Sequence, residues 1–400
     1  MPANISSERR PPTSTAIPRS AWTAWRSCNL ERELFTTVPT VRDPPPWFRG
    51  SLRRAYAVAL REWRDRKSAE SWKLLLLIPR MLLRPTAVAG SEGKRIFSAR
   101  MDRFERGEWE GLLRETRGET NLKDAPRKRD ELQEAVAMVR IGELSRARMF
   151  LTSAGLAPGN NDTLAELRDP ALRPRELTRP LPDALADFVP DEQVDLDQSR
   201  VLQALRSAGR GSAADLSGSR YEHYRVLMED DELWPLFAQL CNALAKADVP
   251  EEIAAAISLG RMTALKKTSG KVRGIVAGCT LRRLVGRALA TQFSEQLMKA
   301  TAPFQYALQT RAGTGALGHA LQALADHDPD LVVLSLDGVG AFDHVQRAAM
   351  FDQLLSVPAL HALVPAVRLF YGRTSRFLWT DDKGETHTIL QGEGASRAIL

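Results

Sequence analysis

The sequence predicts an α+β protein, with a mostly helical first half and a second half that mixes helices with short hairpins. Three observations carry that prediction. Apolar residues recur at three- and four-residue steps through much of the first 155 positions. Beyond residue 260, short apolar or alternating runs are punctuated by tight turns at Thr268-Ser269-Gly270 and Asp381-Asp382-Lys383-Gly384. Between the halves, Gly159-Asn160-Asn161 and prolines at 170, 174, 180 and 182 mark a linker.

Taken in order, residues 1–20 are poor in large apolar side chains and are expected to be disordered. A helical region follows over 21–155. A first segment with Trp22, Trp25 and Leu30 breaks at Pro44-Pro45-Pro46, and Phe48 to Arg84 places Leu52, Tyr56, Leu60 and Trp63 on one face. Trp47, Trp63 and Trp72 read as core anchors, although such rings could also stack on bases. Lys94 to Arg129 interleaves both charges, the pattern of a solvated helical face. Glu131 to Ser153 is again helical, and 156–190 forms the Pro-rich linker. In the last region, 191–400, helices are expected at Val194–Ala208, Tyr221–Ala247, Glu251–Leu259 and Leu281–Lys299, then at Gly315–Ala325, Arg347–Leu355 and Leu360–Phe370. Arg261 to Ile275 reads as a basic hairpin, Leu331 to Leu336 as a buried strand, and Ser375–Thr380 with Glu385–Leu390 as a second hairpin.

The chain has 400 residues and a net charge of +7, carried mainly by arginine. Guanidinium binds phosphate in a bidentate way, so this bias suits phosphate-bearing partners. Cys28, Cys241 and Cys279 are too widely spaced for a disulfide framework or a zinc pattern and fit a reducing compartment. The first twenty residues do not resemble a signal peptide, and the longest apolar run, Leu74 to Ile78, is too short to span a bilayer. The expectation is an intracellular protein, cytoplasmic or nuclear, neither secreted nor membrane-bound.

Two stretches carry chemistry. Lys266 and Arg273 stand on opposite arms of a tight turn, with Lys267 and Lys271 beside them, where paired cations could hold a triphosphate. The bland reading is a basic surface turn. Asp337 ends the apolar run at 331–336 and is followed by Gly338, Gly340, Ala341, Phe342 and Asp343. A carboxylate at a strand mouth beside glycines can hold a cation and its phosphates, or can simply turn the chain.

The order of these pieces is more specific than either alone. K-K-T-S-G-K-V-R-G-I, a long helix, P-F-Q-Y, a helix, then strand-D-G-V-G-A-F-D resembles a reverse transcriptase of the non-LTR retrotransposon type over roughly residues 205–395. The resemblance implies the fingers and part of the palm of a right-hand polymerase fold. It implies that Asp337 ligates two catalytic Mg2+ ions, with the Gly338 carbonyl near the nucleotide phosphates. Phe342 would exclude the 2′-hydroxyl, Lys266 (or Lys267) and Arg273 would hold the incoming dNTP, and Gln305, Arg311 and Gly313 would line the template side. Asp343 would cap the helix that follows. The implied partners are an RNA template, a DNA primer and dNTPs, and the implied chemistry is two-metal nucleotidyl transfer.

The chain departs from that family at its end. Gln391-Gly392-Glu393-Gly394 matches the approach to a Gly-rich loop, but Arg397-Ala398 stands where Gln-Gly belongs, and no Tyr or Phe-Ala-Asp-Asp follows. Closely spaced magnesium ions need several shared carboxylates. The expectation is therefore a truncated reverse transcriptase fragment, inactive as given, whose 331–336 strand keeps an unpaired edge. The alternative is a non-catalytic nucleic-acid-binding or scaffold protein derived from it. A phosphohydrolase using Asp337 as nucleophile would want a second Asp at 339, which is Val.

Overall fold

The computed structural model describes residues 17–118, 131–140, 142–152, 155–307, 312–336, 338 and 340–395. Arg311, Asp337 and most of the expected disordered N-terminus lie outside the described residues. The chain is α+β: many helices surround one small mixed sheet of four strands.

The first half is organised around the helix Ala69–Leu82. Its residues from Trp72 to Leu82 are all buried, as expected of a helix apolar on every side. The stretch too short for a membrane is thus the central core helix. Lys73 and Arg80 are the polar exceptions: Lys73 pairs with Glu252 at 2.8 Å, and the Arg80 guanidinium is spent on the carbonyls of Glu33, Thr36 and Leu216. The helix Arg49–Arg66 packs alongside through Leu52, Tyr56, Leu60 and Trp63. The expected single run from Phe48 to Arg84 is two helices because Lys67 turns left-handed at φ 49°. Trp63 and Trp72 are core anchors as read, but Trp47 is not. It is 44% exposed, with Lys94 over its ring.

The second half packs onto the same core. One apolar cluster runs from Trp25 to Ala395 and takes in residues from both halves. The helices Leu233–Ala245 and Thr280–Gln292 lie within it, and the long helix expected at 281–299 breaks at Phe293 before Ser294–Thr301. A smaller cluster, Leu167, Met262, Ala264, Phe377, Trp379 and Ile389, lies under the sheet. Leu167 belongs to the stretch read as a linker. That stretch also bonds to the sheet, with Ala157 N–H on Ala264 O and the Arg168 side chain on Thr388 O.

Both hairpins form. β1 (Gly260–Lys266) and β2 (Val272–Gly278) pair antiparallel, with Lys266 opposite Val272 and Leu265 opposite Arg273. β3 (Ser375–Thr380) and β4 (Thr386–Gln391) form the second, and β1 meets β3 in parallel at Gly260 and Arg261.

The expected strand at 331–336 does not form. None of its residues joins the sheet, and Val332 (87%), Leu334 (77%) and Leu336 (84%) are largely exposed. A strand exists only where a neighbour takes its N–H and C=O groups, and the four described strands pair among themselves. The preceding helix, Gly313–His327, likewise buries only Gly313.

Candidate nucleotide and nucleic-acid site

The β1–β2 register decides which cations can act together. Side chains alternate along a strand, and residues opposite one another share a face. Arg273 and Ile275 therefore share the outer face with Arg261 and Leu265, and Lys267 and Lys271 flank the turn beyond the last pair. Lys266 falls on the opposite face, which Met262 and Ala264 turn to the smaller core, at its exposed end. The expectation that Lys266 and Arg273 converge on one anion is corrected, because an odd offset from a directly paired position places them on opposite faces. The register sets Leu265 opposite Arg273, and Lys267, whose N–H donates to Lys271 O at 2.7 Å, closes the turn beyond the last pair. All of these basic residues are exposed except the half-buried Arg261, and among the described residues Lys267, Lys271 and Arg273 have no ion-pair partner.

The second piece is the turn that follows residue 338. Gly338 is exposed, and the short helix Ala341–His344 carries Phe342 and Asp343. This turn is tied to a segment some fifty positions later in the chain. Ala395 N–H donates to Phe342 O at 2.9 Å and Gly394 N–H to Val345 O at 2.8 Å. Gly394 sits at φ +84°, and a Cβ there would lie 2.6 Å from Phe342 O and 2.7 Å from Asp343 O. Only glycine allows this approach without strain.

Glu393 locks the junction. It is 1% exposed, and its Oε1 accepts the N–H (2.6 Å) and hydroxyl (2.8 Å) of Thr178, while Oε2 accepts Arg347 N–H at 2.7 Å. Burial acts to raise its pKa, but the Arg347 and Thr178 donors and the Arg347 charge outweigh burial and hold it below the usual range. Arg347, equally buried, donates to Gly394 O, Arg373 O and Ser375 Oγ and stacks on Tyr371. Glu393 thus serves the first N–H of the helix Arg347–Ser356, the role expected of Asp343. Asp343 instead faces Arg173, 3.8 Å from its Nε. Arg173 also lies against Gly274 of β2, so it bridges the basic hairpin and the Phe342 turn. Burial lowers the Arg173 pKa and the Asp343 charge opposes the shift.

Gln305 meets this junction at a cavity that Tyr371 and Ala395 also line. The cavity is apolar, about 420 Å3, and walled by Leu289, Leu297, Leu354 and Phe370, and Gln305 Oε1 accepts Ala307 N–H at 2.7 Å. Asp337, the expected ligand of both magnesium ions, is outside the described residues. Elsewhere, Asp381, Glu385 and His387 in the β3–β4 hairpin bring one ligand atom each within 4.8 Å of one another, close enough to share an ion. In the structure the Asp381 carboxylate is engaged by His387 Nε2 at 3.0 Å and by the N–H groups of Lys383 and Glu385, which also explains a stable turn. Sequence reading missed Glu393, Arg347 and Arg173. A single carboxylate between two glycines was the available signal for the first. The other two were arginines among many.

No family model matches the chain, and no curated protein matches it. No described helix is long and apolar enough to cross a membrane.

Proposed function

We propose that residues 191–395 are the fingers and part of the palm of an RNA-directed DNA polymerase of the non-LTR retrotransposon type. The observation that carries this reading is the bonding of the Phe342 turn to Gly394 and Ala395. The A-F-D motif and the approach to the Gly-rich loop, which the resemblance puts in one palm, are in contact, although about fifty residues separate them. The hairpin, where Lys267, Lys271 and Arg273 have no ion pair among the described residues, supplies the cations that a triphosphate or nucleic-acid backbone requires. In this reading Asp337 and Gly338 stand at the metal and phosphates, and Phe342 under the sugar. The reading assigns Asp337 to a pair of Mg2+ ions, which several shared carboxylates are needed to hold.

The test uses a labelled RNA–DNA template-primer and the purified chain. Binding should weaken with salt, and Lys267→Ala or Arg273→Ala should each lower the slope of log K against log salt by roughly 0.7–0.9. Absence of salt-dependent binding would sink the assignment. Primer extension in Mg2+ should be undetectable. Synthesis that is lost in Asp337→Ala would restore full catalytic status and overturn the inactive reading. Binding that is indifferent to Asp337→Ala in the presence of Mg2+ and dNTP is the signature of the non-catalytic, nucleic-acid-binding alternative.

A further inference from the structure

A second basic site lies at the base of the same hairpin, where the loop at 211–214 meets the N-terminal half. Three successive carbonyls of this loop each anchor a different arginine. Arg220 Nη1 donates to Ser212 O at 2.7 Å, Arg283 Nη2 to Ala213 O at 3.1 Å, and Arg261 Nη1 to Ala214 O at 3.4 Å. Arg42, from the N-terminal half, completes the group. Gly211 is at φ +69°, and the Arg42 guanidinium occupies the space that a side chain at Gly211 would fill. Arg42 is exposed and has no hydrogen bond or ion pair among the described residues.

Four guanidinium groups thus converge on one short loop, and nearby carboxylates are already engaged. Asp215 Oδ1 accepts from Ser217 N, Ser217 Oγ and Ser219 N, and its Oδ2 accepts from Thr280 N. Glu222 Oε1 accepts Gly211 N–H and lies 3.7 Å from Arg225. The Arg220 pKa is lowered first by burial, with Glu222 opposing and the charges of Arg261 and Arg42 lowering it further. The positive charges of Arg261 and Arg42 therefore act on Arg220, and the carboxylates of Glu222 and Asp215 offset them in part. Buried Nε atoms of Arg220 and Arg283 have no hydrogen-bond partner. Clustered guanidiniums of which three use one nitrogen each on the loop, and Arg42 none, suit a phosphodiester.

Geometry continues the site into the hairpin. Arg261 lies on the same outer face as Arg273, and Lys267 closes the turn about 20 Å along the hairpin from Arg261. We propose that Arg42, Arg220, Arg261 and Arg283 form a phosphate-binding nest for a single-stranded RNA backbone that runs on to Lys267 and Arg273, so that the N-terminal half contributes directly to nucleic-acid binding. This rests on the polymerase reading for the nature of the ligand.

The test measures binding of a short labelled oligouridylate by the full chain over a salt series, for wild type, Arg42→Gln, Arg42→Lys and Lys267→Ala. Arg42→Gln should weaken binding severalfold and flatten the salt slope by about 0.7, and Arg42→Lys should recover most of the slope. Arg42 and Arg261 should also be protected by the RNA from phenylglyoxal, a readout on the unmutated chain. If Lys267→Ala weakens binding while Arg42→Gln does not, and Arg42 is unprotected, the nest is refuted and the polymerase reading stands. If the wild-type chain binds no RNA, both fall. Equal competition by poly-L-glutamate would refute RNA as the partner.

Discussion

Replacing Glu393 by Ala removes the acceptor shared by Arg347 N–H, Thr178 N–H and the Thr178 hydroxyl. Hydrogen bonds to a charged group contribute about 1.5–3 kcal/mol each. Three that share one carboxylate do not add independently. Breaking a buried charged network typically costs about 3–5 kcal/mol, and the loss expected here lies in that range. Arg347 adds to it, because the change strips the nearest opposing charge from a guanidinium that is 1% exposed and whose pKa burial already lowers to about 10. Glu393→Gln keeps one acceptor oxygen and should cost less, about 1–2 kcal/mol. The assay is urea unfolding followed by tryptophan fluorescence at neutral pH, with the slope checked for constancy. Thr178→Ala combined with Glu393→Ala should cost less than the sum of the single changes. A loss below about 1 kcal/mol for Glu393→Ala would refute the claim that this carboxylate fastens the 391–395 loop to the Phe342 turn, since surface changes reach only about 0.5 kcal/mol. The pH dependence has a defined sign. A carboxylate with a lowered folded pKa stabilises above its unfolded value of about 4.3, and that contribution fades as pH falls through the folded value. Glu393→Gln should flatten the acid limb.

Three further outcomes follow from other parts of the molecule. Gly394→Ala should destabilise by at least about 1–2 kcal/mol from the left-handed backbone alone, and should expose the Ala395 N–H to hydrogen exchange; unchanged protection would count against the backbone clash. His223 is buried, with Nδ1 accepting Arg220 N–H and Nε2 facing Val41 O at 2.9 Å, and burial lowers its pKa to about 4. The folded state therefore prefers neutral imidazole, so stability should fall as pH drops below about 6.5, by up to about 3 kcal/mol near pH 4. If His223→Gln shows the same loss between pH 7 and pH 5 as wild type, His223 is not its source. Val332→Ser and Leu334→Ser should change stability by less than about 0.5 kcal/mol, because both side chains are largely exposed; a loss of 2 kcal/mol or more in urea unfolding would mean that the segment is packed.

Local pattern determined much of this protein. The helix Arg49–Arg66 follows from apolar spacing, the core helix Ala69–Leu82 from its unbroken leucines, and both hairpins from turn chemistry at Gly270 and Gly384. The A-F-D and Q-G-E-G segments were also legible as motifs, because their information lies within a few consecutive residues. Tertiary structure decided what depends on neighbours. Leu331 to Leu336 has the composition of a strand, yet pairing is a property of two segments, and no described strand pairs with it. Register alone separates Lys266 from Arg273, since one residue of offset reverses a side chain's face. Glu393 became the fastening carboxylate, and Arg42 part of a basic nest, through contacts with residues about 46 to 215 positions away. A single chain read in order carries no record of distances on that scale, because they are set by packing rather than by sequence separation.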